Sequence, residues 1–212
     1  LARRILERGS LPGPDGRARP VDQIVLFDNQ IPSDLAITDW RMVPVQGDIA
    51  DRVMLEKLID RPDIAVFHLA SVVSAGAEQD FDLAMRVNLD GHRSILEALR
   101  AVGSCPRYVF TSSLAVYGGE DARGEVNDRT HQSPQTTYGV TKAIGELLVN
   151  DYTRKGFIDG RSARLGMVIV RPGKANKAAS SFASAVLREP LSGIDYVLPV
   201  PTATKVAVAG YR

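Results

Sequence analysis

Residues 136–151, "TTYGVTKAIGELLVND", read as one helix lying between two short apolar, β-branched runs, "RYVFTSS" (107–113) and "GMVIVRPG" (166–173). A strand, a helix and a strand in that order form a unit whose two strands lie parallel, with the helix packed across them. The same alternation runs outward. Apolar runs recur at "QIVLFD" (23–28), "MVPVQGD" (42–48) and "IAVFHLA" (64–70). Apolar positions three and four apart mark helices at 2–8, 51–60, 80–102, 138–154 and 177–188. The pattern predicts a doubly wound parallel α/β sheet, with "GSLPGPDGRARP" (9–20) as a Gly/Pro-rich connection.

Composition sets limits on function. A chain of 212 residues, 44% hydrophobic and 24% charged, can bury a full core. Its 26 basic residues are interspersed with 25 acidic ones for a net charge of +1, which favours neither nucleic acid nor an anionic membrane as partner. A small molecule is the expected ligand. The single cysteine, Cys105, forms no internal disulfide; no apolar run reaches the roughly 18 residues of a membrane span, and "LARRILERGS" (1–10) is too charged for a signal peptide. A cytoplasmic setting is expected. The three histidines, His68, His92 and His131, are not spaced as metal ligands, so no metal is predicted, and His68 reads as a core imidazole. Trp40 and Phe27 read as packing residues.

Doubly wound sheets bind ligands outside the carboxyl ends of their strands. Asp28 closes "IVLFD", where a carboxylate accepts hydrogen bonds from an adenosine ribose and repels a 2′-phosphate, favouring NAD over NADP; it reads otherwise as a turn or capping residue. Asp48, in "GDI" (47–49), offers a second carboxylate beside an adenine, or a cap for the helix starting near Asp51.

On the 136–151 helix, Val140, Ile144, Leu147 and Leu148 form an apolar stripe, with Tyr138 and Lys142 roughly opposite it. That leaves the pair outside the helix's own core contact. Ser112 and Ser113 end the preceding strand. A phenol of pKa near ~10 is a poor base at neutral pH; lowering it by ~3 units takes about 4 kcal/mol, which one ammonium ~4 Å away supplies at an effective dielectric of ~20. Lys142 is the expected ammonium. A serine hydroxyl would hold a substrate alcohol while Tyr138 takes its proton and the hydride leaves to a nicotinamide.

These residues resemble the extended short-chain dehydrogenase/reductases, the NAD-dependent epimerase/dehydratase family. "VFTSSLAVYGG" (109–119) followed by "YGVTK" (138–142) is similar to its catalytic pairing. The resemblance implies a Rossmann-like fold, NAD as cofactor, and catalytic roles for Ser113, Tyr138 and Lys142, with Ser112 in reserve if the strand register shifts. It implies cofactor contacts from Tyr138, from Lys142 at the ribose, and from Asp28, Asp48, Ile49, Leu69, Ala70 and Pro172, the last three within "FHLA" (67–70) and "RPG" (171–173). Asn88 in "VNLDG" (87–91) would fix neighbouring strands, or is an ordinary helix residue.

The dehydratases of this family carry an acidic pair where this chain has Leu114 and Ala115, so dehydration lacks its acid and base. The strings at 72–93, 138–161 and 171–193 resemble a branch acting on four-carbon sugar acids, implying oxidation of a C2 hydroxyl, as of D-erythronate, to a 2-oxo acid. A buried carboxylate needs donors, and Ser74 and Asn176 are the expected substrate contacts beside Ser113 and Tyr138. The alternatives are a sugar-nucleotide 4-epimerase with retained NAD and a non-catalytic binding protein. The family's first strand and glycine-rich turn are not found ahead of "LARRILERG". The expected organisation is thus an N-terminally shortened NAD-binding domain over 1–175 and the start of a substrate-capping segment over 176–212. The helix bearing the tyrosine commonly joins a dimer interface in the family, which implies a homodimer.

Overall fold

The computed structural model describes residues 1–13, 15–33, 35–122, 124–169 and 179–210. In chain order the elements are α1 (Ala2–Arg8), β1 (Ser10–Pro12), β2 (Ala18–Pro20), β3 (Ile24–Asp28), β4 (Met42–Gln46), α2 (Arg52–Leu58), β5 (Ala65–His68), α3 (Ser74–Gln79), α4 (Phe81–Ala84), a π-helical stretch (Met85–Gly91), α5 (His92–Val102), β6 (Arg107–Ser113), α6 (Thr137–Arg154), β7 (Asp159–Leu165), β8 (Met167–Ile169), α7 (Phe182–Leu191) and β9 (Val208–Gly210). Among these residues no helix is long and apolar enough to cross a membrane.

The described residues form two compact units. The first comprises Leu1–Ala70, Leu89–Phe110 and Leu147–Arg161. In it β3 pairs parallel with β4, Ile24 opposite Met42 and Asp28 opposite Gln46. β5 pairs parallel with β6 from Ala65 opposite Arg107 to His68 opposite Phe110. The sheet containing them runs in the order β5-β6-β7. The strands expected in one parallel sheet are therefore divided among three sheets within the described residues, β3-β4, β5-β6-β7 and β8-β9. Asp51 caps α2, its carboxylate accepting from Met54 N at 3.1 Å. That helix packs on α5, and the core is built from Leu55, Ile95, Leu96, Leu99, Tyr108, Phe110, Val149 and Ile158. His68 lies in it as the sequence predicts, its Nδ1 2.7 Å from the Tyr108 hydroxyl and its ring edge-on to His92.

The second unit comprises Ser71–Asn88, Thr111–Glu146 and Ser162–Arg212. It holds the end of β6, the first half of α6, and β8 paired parallel with β9. Its buried hydrophobic residues are small, Ala77, Ala84, Ala143, Ala183 and Ala185 beside Val116. Polar side chains are buried with them.

Four departures from the sequence reading have physical causes. The Gly/Pro-rich connection folds into an antiparallel hairpin, β1 with β2, its turn allowed by Gly16 at φ 77°. The expected helix 80–102 is divided: the Asp80 side chain caps a new turn by accepting from Leu83 N at 2.9 Å, and a π-helical stretch precedes α5. Strand β7, "DGRSARL", has no apolar alternation and forms by pairing with its neighbour in the sheet. Trp40 does not pack; it is 84% exposed.

Candidate active site

The second unit gathers Ser113, Tyr138 and Lys142. Strand β6 ends at Ser113, whose hydroxyl accepts from Ala115 N at 3.1 Å and so opens a 3-10 turn over Leu114–Val116. Helix α6 starts where Thr136 Oγ1 accepts from Gly139 N at 3.0 Å and Glu78 accepts from Thr137 N at 2.8 Å. Two of the helix's unpaired N-terminal amides are thereby satisfied. Gly139 lies so close to the Ala115 carbonyl that a Cβ would collide with it, and would stand 2.9 Å from Pro134. The approach brings Tyr138 to the strand end, beside Ser113, whose hydroxyl pulls the phenol's pKa down.

The faces of α6 are the reverse of those expected. Lys142 is 3% exposed and Glu146 4%, whereas Val140 is half-exposed and Leu147 is 65% exposed. The polar face turns inward because each polar group finds a partner there, which removes the penalty for burying it. Lys142 Nζ donates to the Thr111 carbonyl at 2.8 Å. Glu146 accepts from Ser112 and from Gln132 Nε2 at 2.6 Å, and pairs with Arg164 of β7 at 2.6 Å. Among the described residues, Val140 and Leu147 of the apolar stripe stay exposed, while Ile144 and Leu148 are half-buried.

The expected effect of the lysine on the tyrosine is also corrected. Burial pushes the Tyr138 phenol above its ordinary value of 10.0, against the pull of the Ser113 hydrogen bond. Burial in turn brings Lys142 down to about 8. The ammonium is 5.5 Å from the Tyr138 ring centroid and directed at a backbone carbonyl. That carbonyl competes with the phenol for the ammonium.

Of the remaining predicted residues, Ser74 opens α3 in this unit and is half-buried. Asn88 is buried in the π-helical stretch, accepting from Val72 N at 2.7 Å and Ser71 Oγ at 3.0 Å and donating to the Val72 carbonyl at 3.0 Å and Thr141 Oγ1 at 3.3 Å. It ties a loop to α6 rather than one strand to another. Pro172 and Asn176 lie outside the described residues.

The other predicted residues belong to the first unit. Asp28 is an exposed carboxylate at the carboxyl end of β3, accepting from Gln30 N at 3.1 Å. Asp48, just past β4, is half-buried and accepts from Ala50 N at 2.9 Å, so it shapes a turn while Asp51 does the capping. Leu69 and Ala70 follow β5 as an exposed apolar pair. Ile49 is buried against Gly91, where an added Cβ would stand 2.7 Å from it. A carboxylate at one parallel strand end and an apolar pair after another suit the ribose and ring of a dinucleotide.

Sequence reading missed Glu146, Arg164 and Gln132. The first carries a signal: it stands four residues after Lys142, which stands four after Tyr138.

The chain is similar to known proteins. A model of the NAD dependent epimerase/dehydratase family matches residues 17–202. The chain is 52% identical over 204 residues to D-erythronate dehydrogenase from Cupriavidus necator, a match covering 96% of this chain and 62% of that protein. It is 51% identical over 146 residues to D-erythronate dehydrogenase from Haemophilus influenzae, across 69% of this chain and 46% of that one. The crystal structure of the nucleoside-diphosphate-sugar epimerase from Agrobacterium tumefaciens superposes with a TM-score of 0.87 at 41% identity, covering 99% of this chain and 60% of that chain. The matches thus span less than two thirds of each of these relatives. The fold is the Rossmann-like α/β fold.

Proposed function

The chain belongs to the NAD dependent epimerase/dehydratase family, and from that premise we propose that the protein is an NAD-dependent dehydrogenase oxidising the C2 hydroxyl of a four-carbon sugar acid, D-erythronate, to the 2-oxo acid. The observation that carries this reading is the 52% identity to D-erythronate dehydrogenase along 96% of the chain. The contact of Ser113 with Tyr138, beside buried Lys142, supports it.

Asp28 would hold the adenosine ribose, and Asp48, Leu69, Ala70 and Pro172 would line the remainder of the cofactor. When bound, oxidised nicotinamide supplies the hydride acceptor. Ser113 holds the substrate hydroxyl by a hydrogen bond, and Tyr138 takes its proton as the C2 carbonyl forms. Lys142 would add positive charge on this side of the phenol and so offset part of the cost of burying the phenolate. Ser74 and Asn176 would donate to the substrate carboxylate. Val140 and Leu147 on the outward face of α6 would pair two copies of the chain, since apolar groups gain by leaving water.

A second reading, a sugar-nucleotide 4-epimerase with retained NAD, draws on the 41% identity to the Agrobacterium tumefaciens protein. One assay separates the two. The protein is given NAD and D-erythronate and NADH absorbance is followed; net NADH is the expected result. No NADH, together with NAD released only on denaturation, would replace the dehydrogenase with the epimerase.

A further inference from the structure

We propose that Glu146, paired with Arg164, is the positioning residue of this site: it grips Ser112 and thereby aims the neighbouring Ser113 hydroxyl at Tyr138. The inference rests on the dehydrogenase reading for what is aimed, and on the second unit alone for how.

A buried carboxylate is expensive, and an apolar residue of similar volume in its place is often neutral or better for stability. Glu146 is nevertheless buried with both oxygens engaged. Oε1 accepts from the Ser112 hydroxyl and from Arg164 Nε at 2.9 Å. Oε2 accepts from Gln132 Nε2 at 2.6 Å and Arg164 Nη2 at 2.6 Å. Arg164 also donates to the Tyr117 hydroxyl, which donates onward to the Asn127 carbonyl at 2.9 Å. Burial works against the carboxylate's charge, but Arg164, Ser112 and Gln132 hold Glu146 below the ordinary carboxylate range. It therefore stays ionised through neutral pH and serves as a fixed anchor, not as a proton donor.

What the anchor fixes follows from strand geometry. Ser112 and Ser113 share one peptide at the end of β6, so holding Ser112 on Glu146 fixes the backbone from which the Ser113 side chain leaves. The end of β6 is tied to α6 twice, Thr111 through its carbonyl to Lys142 and Ser112 to Glu146, and Ser113, the next residue, lies beside Tyr138. The three helix residues are spaced by four, along one face. Releasing Ser112 frees the peptide that sets the direction of Ser113, and misplacing a reacting group by an ångström costs roughly 100-fold in rate.

The test uses Ser112→Ala and Glu146→Gln in protein labelled with 3-fluorotyrosine, the Tyr138 signal being assigned by its loss in Tyr138→Phe. Both variants are expected to move that fluorine resonance. They should lower kcat roughly 10- to 100-fold, leave KM for NAD within about 2-fold of the parent, and raise the pH midpoint of kcat, because a weaker Ser113 bond no longer pulls the phenol down. Ser112→Ala keeps the Glu146–Arg164 pair, so it decides the matter if Glu146→Gln does not fold. An unmoved resonance in Ser112→Ala overturns the proposal, as does a lowered melting temperature with an unchanged pH midpoint. If the parent makes no NADH from D-erythronate, the dehydrogenase reading falls by itself, and the fluorine signal still judges the anchor.

Discussion

The two units fill their interiors with different material. The first buries large apolar side chains, among them Leu55, Leu96, Leu99, Phe110 and Ile158. The second buries alanines, Val116 and a set of polar groups, Asn88, Ser112, Thr141, Lys142, Glu146 and Ser184. Apolar burial has no preferred direction and tolerates repacking. A satisfied polar network is directional, and each member depends on the position of the others. The candidate chemistry sits in the second unit, where hydrogen bonds fix atoms rather than merely exclude water.

If that division is sound, substitutions in the two units should fail in different ways. The largest effect expected is from Tyr138→Phe, which removes the proposed base: NADH formation should fall by about 100- to 10,000-fold while the melting temperature stays near that of the parent. Retained turnover would take the proton transfer away from this unit. Next comes Leu99→Ala in the first unit, expected to cost about 2–5 kcal/mol in a urea titration, with turnover per folded molecule unchanged. A loss of turnover at full folding would show that the apolar unit also sets the geometry of the chemistry.

Lys142→Met should have the opposite sign. The folded-state value of about 8 lies below the ordinary 10.5, so between these pH values the unfolded chain binds more protons. The burial cost is present in full below pH 8 and is relieved as pH rises toward 10.5. The variant should therefore be more stable than the parent at pH 7, by up to ~3 kcal/mol less whatever the bond to Thr111 contributes, with the gap closing in titrations run above pH 8. An undiminished gap at high pH would mean that charge is not the cause. The smallest expected effect is from Leu147→Gln, within about 0.5 kcal/mol for the single chain. Light scattering should nonetheless show a lower mass if the outer face of α6 joins two copies; an unchanged mass would remove that pairing.

The four strands β3 to β6 were legible because their β-branched runs are short and bounded. Strand β7 was not, since Asp159, Arg161 and Arg164 obscure any apolar face and its pairing partner lies far back in the sequence. Ser113, Tyr138 and Lys142 could be named from motif resemblance. The side of α6 they occupy was misjudged because the amphipathic rule assumes that the buried side is the apolar one, and this helix buries a lysine and a glutamate instead. Glu146 was hidden by that error, and Arg164 by the missed strand. Topology put Asp28 and Asp48 at strand ends but did not say that Asp48 would also accept from Ala50 N.

Gly139 carries a further consequence. Helix and strand end meet there as bare backbone, with the Ala115 carbonyl where a side chain would begin. The approach of the start of α6 to the turn after β6 is thus set by main-chain atoms, which no rotamer change can adjust. In a saturation library scored for function, position 139 should return glycine alone, while its neighbour Val140, half in solvent, accepts most of the alphabet. The boundary between intolerance and indifference would then fall within a single peptide bond.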